Sequence, residues 1–284
     1  MLLAALSALI PNVIWGKLGD WLAGIVCQAN SKRKRIAEKN LALCFPDWSQ
    51  EQRMDSLYQH MRISSHLFLG YGRLILGSLD ALKSRFDING LDIVEASVAR
   101  GDNIIFLAPH FMAMEYAGIN LAGDYNMSTM TRLHKNAVLD WVVTRMRKQS
   151  GGTVFSRDTN MLAVVRSIRS GLWFYYLPDE DYGSDKSIFI PFFGIEKATI
   201  PMLGKLAREG NSSVITILSV YNPDTRRFAI TFFPPLEQFP SGDTETDATH
   251  MNQEIERLIK LAPEQYYWTS KVFRSRPPGE KRFY

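Results

Sequence analysis

From about residue 100 onward, short apolar runs alternate with stretches of helical periodicity. The runs predict strands at Ile104–Ala108, Ser128–Thr131, Thr153–Phe155, Leu172–Leu177, Val214–Val220 and Phe228–Phe233. The periodic stretches predict helices at Met112–Ala122, Ala137–Gln149, Met161–Ser170, Ile200–Glu209 and Ala248–Leu261. Upstream, residues 47–86 read as helical, with Ser49 a candidate N-cap ahead of Glu51–Leu76. Strands separated by helices build βαβ units, so the expected class is α/β, with a single largely parallel sheet flanked by helices. The N-terminus has a different pattern. Leu2–Gly16 is uncharged, Lys17 and Asp20 interrupt, Trp21–Ser31 is uncharged again, and Lys32-Arg33-Lys34-Arg35 follows. A spanning helix needs about 20 mostly apolar residues. Residues 1–31 therefore fit a membrane anchor, an interfacial amphipathic helix with Trp15 and Trp21 at headgroup level, or an ordinary buried helix. Residues 32–284 are expected to form one domain, with no internal repeat or low-complexity linker.

Composition narrows the function. The chain has 284 residues, 46% hydrophobic and 22% charged, enough for a substantial folded core. A net charge of +4 favours anionic partners without choosing among lipid, phosphorylated substrate and acidic protein. Cys27 and Cys44 form neither a disulfide framework nor a zinc pattern, which fits a reducing compartment. Of the five histidines, His60, His66, His110, His134 and His250, none belongs to an HExxH motif, so no metal site is expected. Neither a GxxxxGK[ST] nor a GxGxxG loop occurs, and no nucleic-acid partner is implied.

Candidate chemistry collects at strand ends. Asn103-Ile-Ile-Phe-Leu-Ala-Pro-His110 is a buried-type strand that ends in a proline and a histidine, and Glu115 follows five residues later. In one regular helix, residues five apart lie about 140° apart around the axis. His110 and Glu115 can therefore meet only across a strand-turn-helix bend. A carboxylate against an imidazole fixes its tautomer and raises its basicity, which suits a general base acting on an alcohol. The plainer alternative is a satisfied histidine at a helix start. Pro178-Asp179-Glu180-Asp181 ends a second predicted strand, at the sheet edge where α/β proteins bind ligands.

The His110/Glu115 block resembles the HxxxxD/E signature of the lysophospholipid acyltransferase superfamily. Gly151-Gly-Thr-Val-Phe-Ser-Arg157 resembles its arginine-bearing second block, and Leu177-Pro-Asp-Glu-Asp-Tyr-Gly183 its acidic third; Val214–Val220 takes the place of the fourth. Closer features resemble one branch, the late acyltransferases of lipid A biosynthesis (lauroyl or myristoyl transferases). They are the Pro-Asp-x-Asp-Tyr-Gly form of Pro178–Gly183, Phe189-Ile-Pro-Phe-Phe193, Asn40-Leu-Ala-Leu-Cys-Phe-Pro46, and Ala262-Pro-Glu-Gln-Tyr-Tyr-Trp268 with Phe273-Arg-Ser-Arg-Pro-Pro278.

The resemblance implies a glycerophosphate-acyltransferase-like fold on the cytoplasmic face of the inner membrane. The implied reaction carries a fatty acyl group from acyl carrier protein, or a coenzyme A thioester, to a hydroxyl of a lipid A precursor. His110 and Glu115 would be the catalytic pair. With no GxSxG motif, direct transfer is expected rather than an acyl-enzyme, and no cofactor is expected. Arg157 is the first candidate for gripping substrate, with Arg132, Arg145 and Arg147 behind it. Asp179 and Asp181 would orient Arg157 or the substrate sugar, or form a solvated acidic turn. Backbone N–H groups after His110, or an arginine, would hold the oxyanion. The apolar segment Ile188–Ile195 would line an acyl tunnel, rest on lipid, or pack in the core. The basic tail (Lys271, Arg274, Arg276, Lys281, Arg282) would meet lipid phosphates, an acidic carrier, or solvent. An acyltransferase for another membrane lipid (a lysophospholipid, an ornithine lipid or a glycolipid) and a non-catalytic membrane-binding protein are the alternatives.

Overall fold

A computed structural model describes residues 12–131, 143–144, 147, 150–156 and 158–284. The predicted helix Ala137–Gln149 falls largely outside these residues, and so do Arg132, Arg145 and Arg157. The described helices are α1 (Asn12–Gln28), α2 (Lys32–Cys44), α3 (Gln50–Leu76), α4 (Leu79–Lys83), α5 (Leu91–Ala99), α6 (Met114–Ala122), α7 (Met161–Arg169), α8 (Leu203–Gly210) and α9 (Thr244–Leu261). The strands are β1 (Phe86–Asn89), β2 (Asn103–Leu107), β3 (Met127–Thr131), β4 (Thr153–Ser156), β5 (Trp173–Tyr176), β6 (Ile188–Phe192), β7 (Ile195–Thr199), β8 (Ser212–Asn222) and β9 (Arg227–Pro235).

Seven strands form one sheet in the order β1-β9-β8-β2-β5-β3-β4. The five from β8 to β4 are mutually parallel, and β9 runs antiparallel to β8, with β1 parallel to β9. Strand β2 lies in the middle because both its faces are apolar. Ile105 and Leu107 enter the layer that holds α7, α8 and α9, and Ile104 and Phe106 enter the layer that holds α5 and α6. From β2 the chain first crosses to β3 and β4, returns to β5, and later reaches β8 on the other side. The direction of winding thus reverses at β2, and a crevice opens at the carboxyl end of such a strand.

Several described elements were not anticipated, among them α2, α5 and a hairpin. β6 and β7 form a separate antiparallel hairpin. Its Ile190 and Phe192 are buried in the core, so Ile188–Ile195 belongs to a packed hairpin and is not among the described residues that line the cavity at His110. The edge strand β1 was also missed.

Helix α1 packs along α3. Trp15, Gly19 and Ala23, spaced four apart, form its buried stripe. A Cβ at Gly19 would lie 2.4 Å from the His66 ring, so only glycine allows this approach. Asp20, the charge that interrupts the apolar stretch, accepts from Arg62 Nε at 2.6 Å and faces His66 Nε2 at 3.0 Å. Trp15 is 2% exposed and meets the His66 ring edge-on, so of the two tryptophans only Trp21 faces out. No described helix is long and apolar enough to cross a membrane. Helix α3 starts at a full capping box, in which Ser49 and Gln52 satisfy each other's backbone N–H.

Candidate active site

The register of β2 and β5 assembles the site. Leu107 pairs with Tyr176, and each strand then runs through a proline to an ionisable residue three positions beyond that pair. On one strand this is Ala108-Pro109-His110, and on the other Leu177-Pro178-Asp179. Equal offsets on adjacent parallel strands bring the two side chains together. Asp179 Oδ1 lies 2.7 Å from His110 Nδ1, and Oδ2 accepts the His110 backbone N–H at 2.9 Å. An ionised carboxylate only accepts, so the ring nitrogen facing it carries the proton, and in the neutral ring the basic nitrogen is Nε2. The Asp179 side chain is 1% exposed. Burial pushes its carboxyl up, but the His110 ring, the His110 N–H and the Tyr266 hydroxyl outweigh this and hold it below the usual carboxylate range. Tyr266 stays a protonated donor, pushed well above its ordinary value by burial and by the Asp179 charge.

The pairing expected between His110 and Glu115 is therefore not the one that forms. Glu115 is held by Arg147, whose Nε donates to Oε2 at 3.1 Å and whose Nη2 donates to Oε1. The physical reason is the strand-helix turn. His110 leaves β2 against the neighbouring strand, while Glu115 lies in the first turn of α6 beside the segment that carries Arg147. Three of the backbone N–H groups expected to serve the oxyanion are committed elsewhere. The N–H groups of Phe111, Met112 and Met114 donate to Pro109, Gln265 and Phe111.

The acidic turn divides its labour. Asp179 turns to His110, and Glu180 accepts from Tyr182 at the cavity wall. Asp181 accepts from the backbone N–H and hydroxyl of Ser275 and from the Gly183 N–H, so it braces the turn and does not face the cavity. Gly183 has φ +103°, a backbone geometry that explains the glycine of the Asp-Tyr-Gly block. Among the described residues, no group of three or more His, Cys, Asp or Glu could hold a metal ion. Lys197 is fully buried near this turn. Burial pulls its ammonium down, against the upward pull of Asp179, Asp181 and Glu180.

Both end motifs converge on the same place. Gln265, Tyr266 and Tyr267 pair with the loop after β2, through Met112 N–H to Gln265 O at 2.7 Å and Tyr267 N–H to His110 O at 2.9 Å. Asn40 donates to the carbonyls of Trp268 and Ser270 at 2.7 Å each, which ties α2 to that segment. Tyr284 docks its hydroxyl on Asn40, and Arg276 lies over the Phe283 ring, so the basic tail is folded back onto the body. Sequence reasoning noted the Tyr-Tyr-Trp block without a role, and missed Tyr266.

His110 stands on the wall of a cavity of about 1100 Å³. It is lined by Leu22, Val26, Met61, Phe68 and Tyr71 of α1 and α3, by one stripe of α6, and by residues of β3 and β4. Glu115, Arg147 and Arg33 also line it. A carboxylate-oriented imidazole in a large, mostly apolar cavity is equipped to deprotonate a hydroxyl on a lipid-sized substrate.

Comparison with known proteins gives the family. The family model of bacterial lipid A biosynthesis acyltransferases matches residues 1–275. A lipid A biosynthesis acyltransferase of Haemophilus influenzae is 34% identical over 281 residues, covering 99% of this chain and 86% of that protein. The lipid A biosynthesis myristoyltransferase of Escherichia coli is 31% identical, covering 94% of this chain and 82% of its own. The lauroyltransferase of the same organism is 27% identical, covering 95% and 88%. The chain belongs to the bacterial lipid A biosynthesis acyltransferase family.

Proposed function

We propose that this chain transfers a long-chain fatty acyl group from an acyl-carrier-protein thioester to a hydroxyl of a lipid A precursor, with His110 as general base. The observation that carries the reading is the buried His110–Asp179 pair on the wall of the cavity. An alcohol attacks poorly near neutral pH, so the base takes its proton as the C–O bond forms. His110 Nε2 receives the proton, and Asp179 offsets the charge that develops on the ring. The tetrahedral intermediate then expels the thiolate, and the proton on His110 passes to the sulfur. Arg147, held by Glu115 in the same cavity, supplies positive charge for the developing oxyanion. In this reading Glu115 acts through Arg147, and Asp179 takes the part first expected of Glu115.

The reaction is placed at the cytoplasmic face of the inner membrane, where thioester donors are available. Ile14, Trp21 and Ile25 are 56%, 64% and 46% exposed, and their spacing sets them on one face of α1. Phe68 of α3, 69% exposed, belongs to the cavity wall as well. Lys32, Arg33 and Arg35 at the start of α2 are exposed and suit anionic headgroups. A lipid acceptor would thus pass from bilayer to base along an apolar rim.

The test supplies purified protein with a lipid A precursor and either acyl carrier protein or coenzyme A thioesters, and weighs the lipid product. Gain of one acyl group, faster from the carrier protein, is expected. Transfer to a lysophospholipid or aminolipid instead would overturn the acceptor. Flotation with anionic vesicles should hold the wild type and release Trp21→Glu/Phe68→Glu, and equal flotation of both would overturn the docking face.

A further inference from the structure

Helix α6 presents one stripe to the cavity. Met114, Glu115, Gly118, Ile119 and Ala122 line it, whereas Tyr116, Ala117, Asn120 and Leu121 on the opposite stripe are buried in protein. The eight steps from Met114 to Ala122, at 1.5 Å each, make this wall about 12 Å long, starting near His110. Beside it the cavity is lined by Thr129 and Val154, which pair across β3 and β4, and by Tyr175 of β5. At its far end the stripe meets the Gly151-Gly152 turn. A Cβ at Gly152 would lie 3.6 Å from Ala122 Cβ, and one at Gly151 would lie 3.3 Å from Ala122 O.

Gly118 sits in the middle of this stripe, where a helix former would be more stable. Packing against the described residues does not require glycine there. Among the described residues, an added Cβ would meet only Tyr175 Cε1, at an ordinary 3.9 Å. Gly19, Gly70 and Gly204 contrast with it, since a Cβ at each would fall within 2.4, 2.5 and 2.0 Å of a neighbouring side chain. The room beside Gly118 belongs to the cavity.

We infer that the α6 stripe walls the channel for the transferred acyl chain, and that Gly118 sets how long a chain the channel admits. The inference rests on the acyl-transfer reading above and adds the specificity-determining position. The assignment to the donor follows from geometry. The channel starts at the base, where the thioester carbonyl must sit. Along this stretch a single helix stripe runs from the base to the close approach of Gly152 on Ala122, which suits a single unbranched tail rather than the several tails of the acceptor. A side chain at position 118 would project across it about midway.

The experiment measures kcat/KM for Gly118→Ala and Gly118→Leu with saturated acyl thioesters graded from short to long, on one acceptor, alongside thermal unfolding. Gly118→Leu should lose about tenfold or more on the longest chains relative to the shortest, because each excluded methylene carries a discrimination of this order. Gly118→Ala should shift preference the same way by less, while unfolding at the wild-type temperature or above. An unchanged length profile would overturn the inference, as would a uniform loss across all lengths or a defect confined to the acceptor KM. If Gly118→Leu fails to fold, the Gly118→Ala profile decides. Absence of transfer by the wild type from every donor would sink the parent reading instead.

Discussion

Replacing Asp179 by Asn keeps the shape of the side chain and removes what the site needs from it. In the wild type one carboxylate oxygen accepts from His110 Nδ1 at 2.7 Å, the other accepts the His110 backbone N–H at 2.9 Å, and Tyr266 donates to the group as well. An amide offers one accepting oxygen and one donating NH₂. If the oxygen stays on the backbone N–H, the NH₂ faces Nδ1. The ring must then carry its proton on Nε2, which can no longer accept one from substrate. If the amide flips, its NH₂ meets the backbone N–H donor to donor. Either way the base is lost or misaligned. General-base catalysis contributes about 10²–10⁴-fold, or roughly 3–5 kcal/mol of barrier. The expected result is a fall in kcat of about that size with little change in KM, since the interaction lost develops in the transition state. The assay is steady-state acyl transfer followed by mass spectrometry, with circular dichroism to confirm folding. A folded Asp179→Asn variant with kcat within about threefold of wild type would refute the argument that this carboxylate orients the base.

Tyr266→Phe removes a donor from Asp179 and leaves its carboxylate more basic, so the acid limb of kcat/KM should move to higher pH; a folded variant with an unmoved limb would remove Tyr266 from the mechanism. Glu115→Gln leaves the mostly buried Arg147 without its ion pair, which should cost about 1–3 kcal/mol of stability and reduce kcat, yet leave that acid limb in place; a shifted limb would return Glu115 to the base. His60 is buried against the Glu264 carbonyl, and burial pushes its pKa from 6.5 down to about 4. The unfolded chain therefore binds a proton that the fold refuses. The stability this contributes is complete above pH 6.5 and declines as pH falls toward about 4, by on the order of 3 kcal/mol. Urea unfolding of wild type and His60→Gln between these limits should show a smaller pH slope in the variant, and equal slopes would contradict it.

Local pattern made much of the fold legible. The apolar run before Pro109 sets β2 in the interior, and Ser49 with Gln52 starts α3 where a cap was expected. What stayed hidden was adjacency. Nothing local says that β5, rather than β3, lies beside β2, and that pairing alone brings Asp179 to His110. Glu115 is nearer in sequence, and local spacing alone points to it as the partner. The β6–β7 hairpin was obscured by its turn. Phe193 and Gly194 have φ +50° and +73°, a two-residue turn that usually carries Asn-Gly, and phenylalanine there extends the apolar run across the break. Strand β1, Phe-Asp-Ile-Asn, has three of its four residues exposed at the sheet edge and so lacks a buried signature. In α1, composition suggested lipid, but the Gly19 contact and the Asp20–Arg62 pair place half of the helix on α3.

The most direct test of the central claim is single-turnover transfer by wild type and His110→Ala, with the mass of a lipid A precursor read against time. The account predicts that the precursor gains one acyl group with the wild type and that the rate falls at least about 10²-fold in the folded variant. Transfer by folded His110→Ala at the wild-type rate would contradict the assignment of His110 as the base.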